Sequence, residues 1–199
     1  MTDPNRTRPL LVLLATVLLA MPAAADPATV TTSEVYYDVS GVTAPQIARS
    51  VHQHMPDTTK GFPAATVYYY AWRYDYAANV DAAGRPNCAV KNASVEITIT
   101  TYLPRHPTIR SAPDDIVTLW KNYSVALKRH EGHHTTDFIA IGQALPAALD
   151  AVTAPNCSTI EAAANAVGDD YVAHAQTSAD DYDDATGHGT NDGASFPGL

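Results

Sequence analysis

The sequence predicts an α+β protein in which an N-terminal sheet of about three to four strands, antiparallel or mixed, is followed by two long helices. Three stretches in the first half are rich in aromatic and β-branched residues, and the last of them alternates cleanly, as strands do. The second half contains a stretch whose apolar residues recur every three or four positions, and then an alanine-rich stretch. Strands followed by helices favour this class over repeated strand–helix–strand units.

The strands are expected at residues 34–39, 65–76 and 89–103. Residues 43–54 are predicted to form a short amphipathic helix with Pro45 in its first turn. A turn at residues 79–87 should separate the second and third strands. Pro104 and Pro107 are expected to end the third strand, because proline donates no hydrogen bond to a sheet.

The first long helix is predicted to begin at Asp114, since proline and acidic residues are favoured at a helix N-terminus. It should run toward Leu145, where Pro146 is expected to kink or end it. The second helix is predicted over about residues 159–184. The glycine-rich tail at 187–199 is expected to be a loop.

The first 25 residues have the features of a secretory signal peptide: two arginines, an apolar run over 10–20, and an Ala-Ala-Ala site before Asp26. We therefore expect a single domain over 26–199 that is secreted or periplasmic and has no membrane segment after cleavage. An oxidising compartment favours a disulfide between the two cysteines, Cys88 and Cys157.

The charge balance narrows the range of partners. The chain has 12 lysines and arginines against 21 aspartates and glutamates, which gives a formal net charge of −9. Nucleic acids and anionic membranes are bound by basic surfaces. We therefore expect neither as a partner.

Residues 130–134 read HEGHH and match the H-E-x-x-H pattern. Histidines four residues apart lie on one helix face, so His130 and His134 can present their imidazoles to a single Zn²⁺. The adjacent Glu131 is then placed to act as general base toward a water that the metal activates. The apolar stripe of the predicted helix passes through both histidines, which places them on its buried face.

A catalytic zinc normally has three protein ligands, and residues 135–140 lack the glycine and histidine that complete the short form of the motif. The third ligand is therefore expected downstream, where the candidates are Glu161, His174, Asp183 and His188. We favour His188, because flanking glycines let the backbone approach another element. Asp183 is the alternative.

Three other residues are expected to lie outside the ligand set. His133 is about 100° around the helix from its neighbour and should face away from the metal. Asp137 is expected to steady an imidazole. His174 is expected to be a packed, hydrogen-bonded histidine.

The chain resembles a family of bacterial proteins described as predicted secreted zinc-dependent proteases. The resemblance lies in YYDVSG at 36–41, TYLPR at 101–105, HEGHH at 130–134 and GASFP at 193–197, with Trp72, Cys88, Trp120, Tyr182, Asp183, Thr186, His188 and Gly189. It covers nearly the whole chain after the leader. It implies a zincin-like fold, peptidase activity, and a zinc site completed by His188 or Asp183. Family members often carry glutamine at the position of Asp192.

These observations predict a secreted zinc metallopeptidase whose substrate is a peptide or protein. The strand at 95–103 is expected to be a sheet edge that pairs with extended substrate. His133, Tyr182 or the metal itself is the candidate for stabilising the oxyanion.

Two alternatives remain at this point. One is a non-catalytic exported module that binds metal, polysaccharide or a protein partner on the aromatic strand, through Tyr68, Tyr69, Tyr70, Trp72, Tyr74 and Tyr76. Aromatic residues in alternation are, however, more typical of a strand that packs on a core. The other is zinc-dependent hydrolysis of a non-peptide amide in cell-wall material.

Overall fold

The computed structural model describes residues 28–199, so the predicted signal peptide lies outside the described residues. The elements in chain order are β1 Thr29–Asp38, α1 Ala44–His54, β2 Ala65–Val80, β3 Pro86–Arg105, α2 Asp114–Asp150, β4 Thr153–Ala154 and α3 Ile160–Thr186. Strands thus come first and the two long helices follow. The α+β class is confirmed.

The sheet is mixed, and β3 lies at its centre. β1 pairs with β3 in parallel, β2 pairs with it in antiparallel orientation, and the two-residue β4 pairs with Cys88 and Ala89 at its start. The prediction that residues 95–103 form a sheet edge is therefore wrong. Within the described part of the chain, the long edge strands are β1 and β2.

Two prolines interrupt their elements less than expected. Pro104 is the second-last residue of β3 and lies beyond Tyr102, the last residue that pairs with β2. Proline has no backbone N–H to donate, and at this position the side of β3 that faces β2 is already unpaired, so the strand can include it. Pro146 lies inside α2, which continues to Asp150. Leu145 and Leu149 are fully buried on this last turn, and their burial outweighs the hydrogen bond that the proline cannot make.

The main core lies between the sheet and the two long helices. From β2 it takes Tyr70, with Tyr68, Trp72 and Tyr74 packed against it, while Tyr69 on the opposite face is 67% exposed. The aromatic alternation is therefore that of a core strand. A second cluster joins α1, the first turns of α2 and Phe196 from the tail. These contacts fix the tail beside the start of α2.

A disulfide joins Cys88 to Cys157, as predicted, and ties the start of β3 to the connection before α3. Such a bridge fits a protein that is exported to an oxidising compartment. In the region 28–199, no helix has both the length and the apolar character needed to cross a bilayer.

Candidate metal centre

The helix α2 carries the two motif histidines on its buried face. Its apolar stripe runs through Trp120, Tyr123 and Leu127, and it continues with His130 and His134, which are 3% and 5% exposed. Burial lowers the pKa of both imidazoles, and the neighbouring histidine lowers that of His130 further. Both rings are therefore neutral at pH 7, the state in which a ring nitrogen can bind a metal.

The two imidazoles converge on one carboxylate from α3. Nε2 of His130 and Nε2 of His134 lie 3.0 and 3.1 Å from Oδ1 of Asp183. Ligand atoms about 2.0–2.1 Å from a tetrahedral zinc ion are about 3.3 Å apart. Two nitrogens and one oxygen are also a donor set that suits zinc. The residues present therefore fit the metal that the sequence predicts.

The end of α3 holds Asp183 in this position. The helix stops at Thr186, and Gly187 adopts a left-handed conformation with φ 58°. The backbone N–H of His188 then donates to the carbonyl of Asp183 over 2.8 Å and closes the last turn. Asp183 thus lies on the final turn, facing the motif.

His188 lies at the mouth of the site. Its side chain is 50% exposed, its Nδ1 is 3.7 Å from Oδ2 of Asp183, and its ring lies 4.6 Å from that of Phe62. The three groups that lie together, with ligand atoms within 4.8 Å of one another, are His130, His134 and Asp183. This geometry favours Asp183 over His188 as the third ligand. The identity of the bound ligands stays a prediction.

The remaining candidates for the third ligand lie elsewhere on α3. Glu161 is in the first turn of the helix, and 22 residues of helix separate it from Asp183 by about 33 Å. His174 is exposed, so the expectation that it is packed is wrong. The neighbouring Ala175 occupies the buried face at this point.

Glu131 lies beside the cluster and is only 4% exposed. The hydroxyl of Thr66 on β2 donates to its Oε2 over 2.8 Å. Burial raises the pKa of Glu131 to about 7, although the hydrogen bond from Thr66 opposes this shift. A carboxyl group with that pKa can both accept and return a proton near neutral pH.

Tyr182 braces the motif from α3. Its ring stacks on those of His133 and His130, with centroids 3.8 and 4.9 Å apart, and meets His134 edge-on. Its hydroxyl donates to Oδ2 of Asp192 over 3.0 Å. Burial raises the pKa of Tyr182 to about 12, so the phenol stays protonated. Because the hydrogen bond to Asp192 holds the phenol in place, the ring of Tyr182 can support the imidazoles that pack against it.

Asp137 contacts His133 and not one of the two clustered histidines. Its Oδ2 lies 3.3 Å from Nε2 of His133, one turn earlier on α2. His133 is 45% exposed and turns away from the cluster, as the helix geometry predicted. Asp137 therefore steadies an imidazole, but that of His133.

The tail folds back over His130. Gly189 has φ 80°, and a Cβ atom there would lie 2.9 Å from Cγ of His130, so only glycine fits without displacement. Nδ1 of His130 is buried and has no hydrogen-bond partner among residues 28–199. The nearest carboxylate, Oδ2 of Asp192, is 3.9 Å away. This unpaired nitrogen is the atom that carries the proton when Nε2 binds a metal.

A cavity of about 480 Å³ opens over the cluster. Its floor is formed by the motif residues, one wall by the segment from Thr58 through Tyr68, and the other wall by α3. The α3 wall presents Val172, Gln176, Ala179, Asp180 and Asp183. The cluster and Glu131 are thus accessible to a ligand in a groove between β2 and α3.

Comparison with known proteins places this chain in a bacterial family. Residues 34–189 match the family described as "Bacterial protein of unknown function (DUF922)". The chain belongs to this family. No curated protein and no solved structure matches the chain significantly.

The DUF922 match covers most of the site. It begins within β1 and ends at Gly189, so it includes Glu131, the three clustered residues and His188. Asp192 and the rest of the tail lie beyond it. The contact of Tyr182 with Asp192 therefore joins a residue inside the matched region to one beyond it.

Sequence reasoning missed two residues of the site. Thr66 is one of several threonines in strands, and only the packing of α2 against β2 shows that it reaches Glu131. Gly189 was expected to help His188 approach another element, but it allows the backbone to lie against His130. Both roles depend on tertiary contacts that leave no local pattern.

Proposed function

We propose that this DUF922 protein is an exported zinc-dependent metallopeptidase that hydrolyses peptide bonds, with Glu131 as general base. The observation that carries the proposal is the convergence of His130, His134 and Asp183 on one point in a groove, with the buried Glu131 beside them. The mixed sheet followed by the motif helix and a second long helix is also compatible with the zincin-like fold that the sequence resemblance implies.

His130, His134 and Asp183 would hold the metal. Zn²⁺ bound by these side chains would lower the pKa of a water and polarise the carbonyl of the substrate. Tyr182 and the tail at Gly189 keep the imidazoles in orientation. The site is thus organised before substrate arrives, which is the condition for efficient electrostatic catalysis.

Glu131 would move the proton. Thr66 fixes one of its carboxylate oxygens, and we assign the other to accept the proton of the attacking water. The protonated carboxyl then returns this proton to the leaving amine, as microscopic reversibility of general base and acid allows. Burial, which raises the pKa to about 7, suits both half-steps.

The substrate would lie along β2. Residues Ala65–Val80 form an edge strand of the sheet, and its first four residues line the cavity. Backbone groups on an open strand edge can bind an extended peptide by adding a strand. The role expected of residues 95–103 therefore passes to the start of β2.

The test combines metal content with one substitution. Purified protein should carry about one zinc per chain, measured by elemental analysis. Glu131→Gln should retain the zinc but reduce cleavage of a broad peptide library by at least about 100-fold, because it removes the general base. Glu161→Gln, on the surface at the far end of α3, is the matched control and should cleave as the wild type does.

Two results would contradict the proposal. Unchanged hydrolysis by Glu131→Gln would remove this residue from the mechanism. Cleavage of cell-wall amides without cleavage of any peptide would make the protein an amidase and exclude the peptidase assignment.

A further inference from the structure

The groove over the cluster is closed at one end. The hydroxyl of Tyr68 on β2 donates to the carbonyl of Val172 on α3 over 2.8 Å, and this bond bridges the two walls. Behind it, the ring of Tyr68 lies 4.2 Å from that of Phe138. On this side of the cluster, the two walls of the cavity are therefore joined by a hydrogen bond, and we call this part of the cavity the closed end.

The walls of this closed end are apolar. Phe138 lies four residues beyond His134 on the same face of α2, which places it about 6 Å from that ligand along the helix axis. Tyr68, Val172 and Ala179 complete the lining. An aliphatic stem of three or four carbons next to the scissile bond would be in contact with these residues.

The rim of the closed end carries a negative charge. Asp180 lines the cavity from α3, and the amide of Gln176, one turn earlier, donates to its Oδ1 over 2.7 Å. Burial raises the pKa of Tyr68, and so does the charge of Asp180 nearby. Lys60, the one cationic side chain of the described lining, comes from the loop that forms the opposite wall. The pocket thus combines an apolar wall with an anionic rim.

We propose that this closed end is a specificity subsite for a lysine or arginine side chain of the peptide substrate. The aliphatic stem would pack on Phe138, Tyr68 and Val172, and the cationic head would reach the carboxylate of Asp180. This assignment rests on the peptidase function proposed above and names the class of substrate that it prefers.

The first experiment compares lysine with norleucine, which has the same stem without the amine. The substrates are fluorescence-quenched peptides. In one series only the residue before the scissile bond is varied, and in a second series only the residue after it. Wild type should cleave the lysine peptide with a kcat/KM about five-fold higher, the range of a partly exposed ion pair. Asp180→Asn should bring this ratio close to one. Asp181→Asn, which removes the same charge from the neighbouring exposed position on the helix, should leave the ratio unchanged.

A second variant tests the apolar wall. Val172→Trp fills the closed end from a partly exposed position, so the fold should tolerate it. It should reduce cleavage of both the lysine and the norleucine peptide by about ten-fold and spare a peptide with alanine at that position. Equal loss for all three peptides would overturn the proposed pocket.

A binding measurement separates this inference from the peptidase function. The same peptides, labelled for fluorescence anisotropy, are titrated into zinc-loaded Glu131→Gln protein, with and without Asp180→Asn. A preference for lysine that Asp180→Asn abolishes would support the subsite even if wild type cleaved no peptide and the peptidase proposal had failed. Equal affinity for lysine and norleucine peptides would overturn the subsite even if wild type were an active peptidase.

Discussion

Asp183 and His188 are five residues apart in the sequence, but we expect only Asp183 to be needed for binding zinc. Oδ1 of Asp183 faces both imidazoles, whereas His188 is half exposed at the mouth. We predict that Asp183→Asn lowers zinc affinity on the order of 100-fold or more, because it removes a charged ligand. His188→Ala should change it by less than about three-fold. Competition with a chromophoric chelator measures both.

The reverse result would contradict the assignment of Asp183 as the third ligand. A large loss of zinc in His188→Ala with little effect in Asp183→Asn would mean that the histidine binds the metal. The tail after Gly187 would then have to rearrange to bring its imidazole inward.

Glu131 should make the stability of the metal-free protein depend on pH. Its pKa rises from 4.5 to about 7 on folding because the carboxyl is buried. Between these values the folded state binds more protons than the unfolded state, so the free energy of unfolding falls as pH rises. At pH 8 the loss relative to pH 5 amounts to at most about 3 kcal/mol for this group.

The measurement is urea denaturation at pH 5 and pH 8 in the presence of a chelator. Glu131→Gln does not titrate, so its stability should fall less between these two pH values than that of the wild type. An equal fall in both proteins would show that the carboxyl is not desolvated in the folded metal-free state.

At the scale of the elements, α2 must pack closely on the sheet to place the motif beneath β2. A Cβ atom on Gly142 would lie 2.6 Å from Cδ1 of Ile97 and 2.9 Å from Cε1 of Tyr70. We predict that Gly142→Ala lowers the free energy of unfolding by about 1–3 kcal/mol, since a fully packed core cannot admit the methyl group without strain. Chemical denaturation measures the change.

Gly132→Ala is the matched control on the same helix. A Cβ atom there meets no atom within 4 Å, so the higher helix propensity of alanine should stabilise the protein by about 0.5–1 kcal/mol. If both variants were stabilised alike, α2 would lie further from the sheet than the structure shows.

The existence of the elements was predictable, but the arrangement of the strands was not. Alternation over residues 95–103 identifies a strand, and it also identifies which side chains are buried. It does not say whether β1 joins β3 or β2, because the crossover through α1 can reach either strand of the hairpin. The helix past Pro146 was missed for a related reason: burial of Leu149 is a tertiary effect that a local rule on proline omits.

The same limit applies to the candidate metal centre. The spacing of His130 and His134 predicts a shared helix face, and burial of both side chains agrees with it. Which residue becomes the third ligand depends on where α3 packs along α2, and no local sequence pattern determines that position. The flanking glycines favoured His188 over Asp183 in the sequence, whereas the distances in the folded chain favour Asp183, whose Oδ1 lies 3.0 and 3.1 Å from the two imidazoles.

At the scale of the whole molecule, the acidic residues are unevenly distributed. Seven of them fall between residues 169 and 192: Asp169, Asp170, Asp180, Asp181, Asp183, Asp184 and Asp192. They belong to α3 and the tail, the two parts that complete the site. The negative charge of the chain is thus concentrated on α3 and the tail.

The disulfide and the candidate metal centre lie at opposite ends of α3. Cys157 precedes the helix, while Asp183 is on its last turn, so α3 separates the two by about 35–40 Å. Replacing both cysteines by serine opens a covalent loop of 69 residues and should cost roughly 4 kcal/mol through the entropy of the unfolded chain. For a domain of this size that is roughly a 10 °C fall in Tm.

The zinc affinity of the folded double variant should, in contrast, stay within about three-fold of wild type, because the cluster is positioned by local packing around Tyr182 and Gly189. Thermal denaturation with chelator, and zinc titration at a temperature well below the transition, measure the two quantities separately. A ten-fold loss of affinity in a fully folded double variant would contradict this separation. It would mean that the covalent link at the start of α3 sets the position of Asp183 against the imidazoles at its far end.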